Sequence, residues 1–155
     1  MRKGFKILSI FIFISFCWTP AVLAACTVST TPVNFASYDV FSTAPLNATG
    51  TTTVDCDEAP PPTVTIAIGP SPNSVSGFNP RKMRLSGGGD LLEYNFYIDN
   101  TYTKIWGDGS GNTFTLTERV KKNKPWVSTV YGRIPPGQDV SVGNYNETLT
   151  VTITW

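Results

Sequence analysis

The chain has 155 residues, a length that suits one domain, with 12 Lys and Arg against 11 Asp and Glu and no histidine. The missing histidine removes imidazole-based triads and imidazole metal sites, and the near-zero charge removes the concentrated positive field that nucleic acid requires. Charged residues are 15% of the chain, against about 25% in an average soluble domain, so Thr, Ser and Asn carry the surface polarity.

In chain order, the first element is an address. Arg2, Lys3 and Lys6 form a positive start, Ile7 to Trp18 is an apolar run, and Val22, Leu23 and Ala24 supply small residues before a cleavage point. This predicts a secretory signal peptide over residues 1–24, leaving a domain over 25–155. The apolar run is 12 residues, short of the roughly 20 that cross a bilayer, so no membrane span is expected. Cleavage removes three basic residues, leaving 9 against 11 acidic ones and a net charge of about −2. Cys17 leaves with the peptide. Cys26 and Cys56 remain, an even count in an exported chain, and a disulfide is the default reading. It closes a loop of about 30 residues, worth about 3–4 kcal/mol in the chain-entropy account. Leu23-Ala24-Ala25-Cys26 also fits the pattern that precedes a lipid-modified cysteine.

Gly and Pro recur at short intervals in the rest of the chain and speak against helices. Strand patterns follow instead. A short first strand holds Cys26 and Val28, and Ala48 to Cys56 is Thr-rich. Val64, Ile66 and Ile68 alternate with Thr65 and Ala67. Leu92, Tyr94, Phe96 and Ile98 alternate with Glu93, Asn95 and Tyr97. Phe114, Leu116 and Glu118 share one side of Phe114 to Val120, and Val127 to Ile134 is a further strand. The clearest is the last, where Leu149, Val151, Ile153 and Trp155 alternate with Thr148, Thr150, Thr152 and Thr154. Turn clusters separate them at 59–62, 69–77, 86–90, 107–112 and 135–143. Seven or so short strands with turn-rich joins predict an all-β sandwich. Trp155 is expected to face inward, at the border of a core with no following strand to complete the sheet.

Other clusters read as surface. Asp55, Asp57 and Glu58 precede Pro60-Pro61-Pro62 in a solvated turn. Asp108-Gly-Ser-Gly-Asn112 resembles a calcium loop but has no closing Glu, and reads as a hairpin turn. Lys121, Lys122 and Lys124 form a solvated basic loop which, with Trp126 as an apolar anchor, is the candidate surface-contact site.

The segments CTVSTTPVNFASYDVFSTAPLNATGTTTVDC, FNPRKM, LEYNFYID, IWGDGSGNT and YGRIPPGQDVSVGNYNETLTVTITW together resemble the spore coat protein U domain family, which includes subunits of archaic chaperone–usher pili. The resemblance spans Cys26 to Trp155. Its most specific parts are YGRIPPGQ running into GNYNETLTVTITW, and the opening pattern Cys26, Asn34-Phe35, Tyr38, Cys56. It implies an immunoglobulin-like β-sandwich that is incomplete, lacking its final strand. A periplasmic chaperone lends a strand to the gap, and the N-terminal extension of a neighbouring pilus subunit replaces it at the outer-membrane usher. Cys26 and Cys56 match the family disulfide. Leu149, Val151, Ile153 and Trp155 match the strand that borders the acceptor groove. A donor burying about four apolar side chains contributes roughly 6–12 kcal/mol before ordering costs, comparable with a whole domain's stability.

One departure stands out. Cleavage after Ala24 leaves only Ala25 before Cys26, whereas a usable strand needs about 5–6 residues. Such a subunit accepts a strand and cannot donate one, which places it at a fibre tip. The expectation is a structural or adhesive subunit, exported through the periplasm to the cell surface and active in attachment, biofilm or spore-coat formation, with no catalytic residue, cofactor or metal. The resemblance points to a bacterial source, in which Asn47-Ala-Thr49 and Asn146-Glu-Thr148 are chance matches to the glycosylation sequon. The alternatives are a self-contained surface-binding module, with Trp106 or Trp126 as a sugar platform, and an outer-membrane lipoprotein anchored through Cys26, which leaves Cys56 unpaired.

Overall fold

Alternating Thr and β-branched residues suit a pleated surface wetted on one side and buried on the other. A computed structural model describes residues 25–155 and builds nine strands from them. The expected signal peptide lies outside the described residues. The strands are β1 (Cys26–Thr31), β2 (Leu46–Cys56), β3 (Thr63–Ile68), β4 (Arg81–Leu85), β5 (Leu91–Tyr97), β6 (Leu116–Arg119), β7 (Trp126–Ile134), β8 (Tyr145–Asn146) and β9 (Val151–Thr154). They form a six-stranded sheet in the order β1-β2-β7-β5-β4-β8 and a three-stranded sheet in the order β6-β3-β9. All the strand pairings are antiparallel. The all-β sandwich expected from the sequence is the fold found.

The main core lies where the two sheets face each other. Val54 from β2, Val130 from β7 and Val64, Ile66 and Ile68 from β3 meet around Trp106 and Val120. Trp106 is wholly buried, and its indole N–H donates to the Ile66 carbonyl at 3.2 Å. A second cluster, Leu92, Tyr94 and Ile134, sits under the β5–β4 half of the large sheet.

β1 pairs with β2 so that Cys26 stands directly opposite Cys56, and the two are joined in the expected disulfide. A sulfur so bonded cannot carry a lipid, which removes the lipoprotein alternative from this state of the chain. Val28, the residue expected beside Cys26, lies on the exposed side.

The structure adds two strands to the sequence reading and corrects several residues. β4 and β8 were not expected: β4 is Arg-Lys-Met-Arg-Leu, without β-branched residues, and β8 is two residues long. Phe114 lies outside β6 and is exposed, as is Glu118, so the expected inward face begins at Leu116. Trp155 does not face inward. The β3–β9 ladder ends with Thr65 opposite Thr154, so Trp155 falls beyond the last pairing. It is 54% exposed. Its indole N–H, which needs a polar partner, donates to Glu58 Oε1 at 2.9 Å.

The disulfide spans 30 residues of sequence, so replacing both cysteines by serine should lower stability by about 3–4 kcal/mol. Urea unfolding of the oxidised chain and the double variant measures this. A difference under about 1 kcal/mol would show that the bond adds nothing to the β1–β2 ladder.

Candidate functional site

The three-stranded sheet is too narrow to cover the inner face of six strands. Part of that face is covered instead by the chain leaving β1. Residues 32–35 cross the inner side of β2 and β7 at two glycines. A Cβ at Gly50 would lie 2.7 Å from the Thr31 carbonyl oxygen and 2.8 Å from Val33 Cγ2. One at Gly132 would lie 2.7 Å from both Phe35 Cζ and Val33 Cγ1. The crossing exists because both positions lack a side chain.

Opposite this segment runs the chain from Val140 to Val151. Between the two walls lies a trough made of two adjoining cavities of about 610 and 250 Å³ that share Val33; its lining mixes apolar side chains with polar ones such as Asn34, Ser141 and Asn144 in the larger and Thr52 and Glu147 in the smaller. Phe35, Met83, Leu92, Ile134, Val140 and Tyr145 line the larger. Ile68, Phe96, Val130, Leu149 and Val151 line the smaller. Phe41 and Val142 also line the larger cavity, yet are 91% and 101% exposed.

Each flanking edge is open. Among the described residues β9 pairs only with β3, and β1 only with β2. The outer edge of β9 is therefore a row of backbone donors and acceptors without strand partners. An extended chain laid there would bond to β9 and place alternate side chains in the trough.

A partly buried polar cluster holds the wall in position. The chain from 145 to 154 changes sheets: β8 pairs with β4 in the large sheet, and β9 with β3 in the small one. Glu147 sits between them, accepting from Ser71 Oγ at 2.6 Å, Asn73 Nδ2 at 3.0 Å and the Tyr94 hydroxyl at 2.5 Å. Burial, then the bond and charge of Glu147, push the Tyr94 phenol far above its ordinary value, so it stays a donor. Nearby Arg81 is completely buried. It donates to Asn95 Oδ1 at 2.8 Å and to the carbonyls of Gly69 at 3.0 Å, Trp106 at 2.8 Å and Ile68 at 3.3 Å. Burial lowers its pKa, while Tyr94, Glu147 and Asp108 act to raise it. The guanidinium ties β4 of the large sheet to the end of β3 in the small one.

Of the sequence-expected groove residues, Leu149, Val151 and Ile153 are partly buried and pack against the main core. Leu149 and Val151 also line the trough. Trp155 is apart from it, against Glu58. Lys121, Lys122 and Lys124 form an exposed turn, closed by Lys124 N–H to the Lys121 carbonyl at 3.0 Å, with Lys122 paired to Asp57 at 2.5 Å. Trp126 opens β7 opposite Val54 and packs on the core, so it is not a free apolar anchor for that turn. Trp106 is buried and cannot serve as a sugar platform. In the 107–112 turn, Asp108 Oδ1 accepts from Ser110 N–H at 2.9 Å and Ser110 Oγ at 2.6 Å. The sequence reading gives Arg81 and Glu147 no role, though both lie in segments that carry the family resemblance, and it takes Asn34-Phe35 and Tyr38 as a pattern without placing them. No alternation marks the segment from Val33 to Phe41 as a wall.

Similarity to known proteins agrees with this architecture. The profile of the Spore Coat Protein U domain matches residues 12–152. Protein U of Myxococcus xanthus is 33% identical over 130 residues, covering 79% of this chain and 71% of that protein. Among solved structures, the chaperone–tip adhesion subunit pre-assembly complex CsuC–CsuE, from archaic chaperone–usher Csu pili of Acinetobacter baumannii, superposes with a TM-score of 0.62 at 18% identity. The match covers 86% of this chain and 40% of that one, so this chain spans less than half the length of that solved chain. At that identity the likeness speaks to the fold.

Two substitutions probe the wall and the crossing. Glu147→Ala strips three donors of their acceptor and should cost about 1–3 kcal/mol, measured by urea unfolding, whereas Glu147→Gln keeps an acceptor oxygen and costs less. Gly132→Val forces Phe35 out of its seat and should cost about 1–3 kcal/mol. A neutral Gly132→Val would show that the crossing segment is not packed as described.

Proposed function

The chain belongs to the spore coat protein U domain family, and on that premise we propose that it is a subunit of a cell-surface chaperone–usher fibre whose open trough accepts a β-strand from another protein. The observation that carries this reading is the trough lined by Leu149 and Val151, beside the edge of β9 that is unpaired among the described residues. Strand addition at a sheet edge draws affinity from main-chain hydrogen bonds and register from alternate side chains. The trough and edge offer both. The neighbouring solved complex, described as a chaperone bound to a tip adhesion subunit before assembly, supports a periplasmic chaperone as the first occupant; the second is a neighbouring subunit. Ile153 extends the acceptor wall.

Export follows from the signal peptide over 1–24. With cleavage after Ala24 a single residue precedes Cys26, so the processed subunit accepts a strand without donating one and belongs at the tip, in an adhesive rather than a shaft role. Its work is structural, by assembly and attachment, and not enzymatic.

The test is periplasmic expression of the chain alone, followed by intact mass and thermal unfolding with and without a synthetic peptide of alternating apolar residues. The peptide should raise Tm by at least about 10 °C, and Val151→Arg should abolish that rise. A mass two protons below the reduced chain beginning at Ala25 supports both the processing and the disulfide. A stable monomer indifferent to the peptide would sink strand acceptance.

A further inference from the structure

The outer face of the large sheet carries a second arrangement, remote from the trough by the pleat itself. Along β7 the buried residues are Ser128, Val130, Gly132 and Ile134, so Tyr131 and Arg133 point the other way. Tyr97 of β5 stands directly opposite Tyr131, and Asn47 of β2 directly opposite Arg133. The loop after β5 folds Tyr102 onto this face. The Arg133 guanidinium lies 3.5 Å from the centre of the Tyr102 ring, and Tyr97 and Tyr131 flank that ring edge-on at 5.5 and 6.3 Å.

The presentation of Tyr102 is fixed. Its φ is +58°, a left-handed conformation that costs a bulky residue energy and persists only when its surroundings impose it. Asp99 does so, accepting bonds from Thr101 Oγ1, Thr103 Oγ1 at 2.8 Å and the Lys104 N–H at 2.8 Å. These bonds hold the Asp99 carboxyl well below the usual carboxylate range, against the opposing effect of burial, and turn its charge into its own loop.

What remains is a set of unused donors. Arg133 Nε donates to Asn47 Oδ1 at 2.9 Å. Among the described residues its two terminal amino groups have no partner, and no carboxylate lies within ion-pair distance of it. Among the described residues the phenols that do hydrogen-bond are Tyr38, Tyr94 and Tyr145, leaving the hydroxyls of Tyr97, Tyr102 and Tyr131 free there. A stacked guanidinium with both terminal amino groups open suits a carboxylate held by two parallel bonds. Three free phenols on aromatic bodies suit hydroxyl groups next to C–H surface.

We propose that Tyr97, Tyr102, Tyr131 and Arg133 form a binding site for a carboxylated sugar, with Arg133 taking the carboxylate and the tyrosines the ring and its hydroxyls. The site does not depend on strand acceptance.

Titration of the full chain, followed by NMR in low salt, tests this with two probes, trigalacturonic acid and 3′-sialyllactose, each beside its methyl ester. Saturable binding of either acid, with its ester at least about tenfold weaker, supports the site, and the tighter acid names the sugar type. Arg133→Gln and Tyr102→Ala should each weaken binding about tenfold at unchanged Tm. Arg133→Lys, which keeps the charge and loses the planar fork, should fall between wild type and Arg133→Gln, and serves if Arg133→Gln misfolds. Failure of both acids to bind, equal binding of acid and ester, or wild-type affinity in folded Arg133 variants would overturn the proposal.

Discussion

Six strands face three, and the rest of the molecule follows from that mismatch. A sheet buries one face only if something covers it. Here β6, β3 and β9 cover the part of the large sheet around Val54, Val130 and Trp106. The remainder is roofed on one side by the crossing segment that carries Val33 and Phe35, and on the other by the chain from Val140 to Val151. The trough is the gap these two irregular walls leave. Its floor is apolar because it is made of core-facing residues of regular strands, while its irregular walls bring polar groups to the rim.

Irregular walls are hard to hold, since backbone outside a ladder has no built-in partners. The polar cluster supplies them. Glu147 gathers Ser71, Asn73 and Tyr94 at the point where the chain leaves one sheet for the other. Arg81 closes carbonyls at the end of β3 and at Trp106 that would otherwise be buried without donors. A buried cation without a carboxylate in contact is costly unless fully hydrogen-bonded. Arg81 meets that condition through four acceptors and lies beside the rings of Phe78 and Phe96. The groove wall thus rests on a buried Arg81 and a half-buried Glu147, not on apolar packing alone.

The division between what the sequence disclosed and what it hid follows the same physics. Strands β2, β3, β5, β7 and β9 were legible because one face is wet and the other dry, which writes a period of two into the residues. The Cys26–Cys56 pair was legible by counting. β4 was not, since its key inward residue is an arginine, and no periodicity argument assigns a charge to a core. Trp155 misled because alternation continues past the point where the partner strand stops pairing. Trp126 reads as a contact anchor, and both it and Trp106 as a sugar platform under the alternative reading, because aromatic residues near turns resemble binding platforms; both pack inward. The trough was legible only through resemblance, because it is bounded by segments without a pattern.

The position of the disulfide has a mechanical consequence. Cys26 is the first residue of the first strand, and its sulfur leads directly to Cys56, the last residue of β2. Tension applied at the N-terminal end of the described chain therefore passes through the sulfur bridge to the end of β2 before it can act along β1. Peeling β1 away rung by rung is blocked at the first rung. The force instead enters an interior strand, flanked on both sides by β1 and β7, where many hydrogen bonds must yield together.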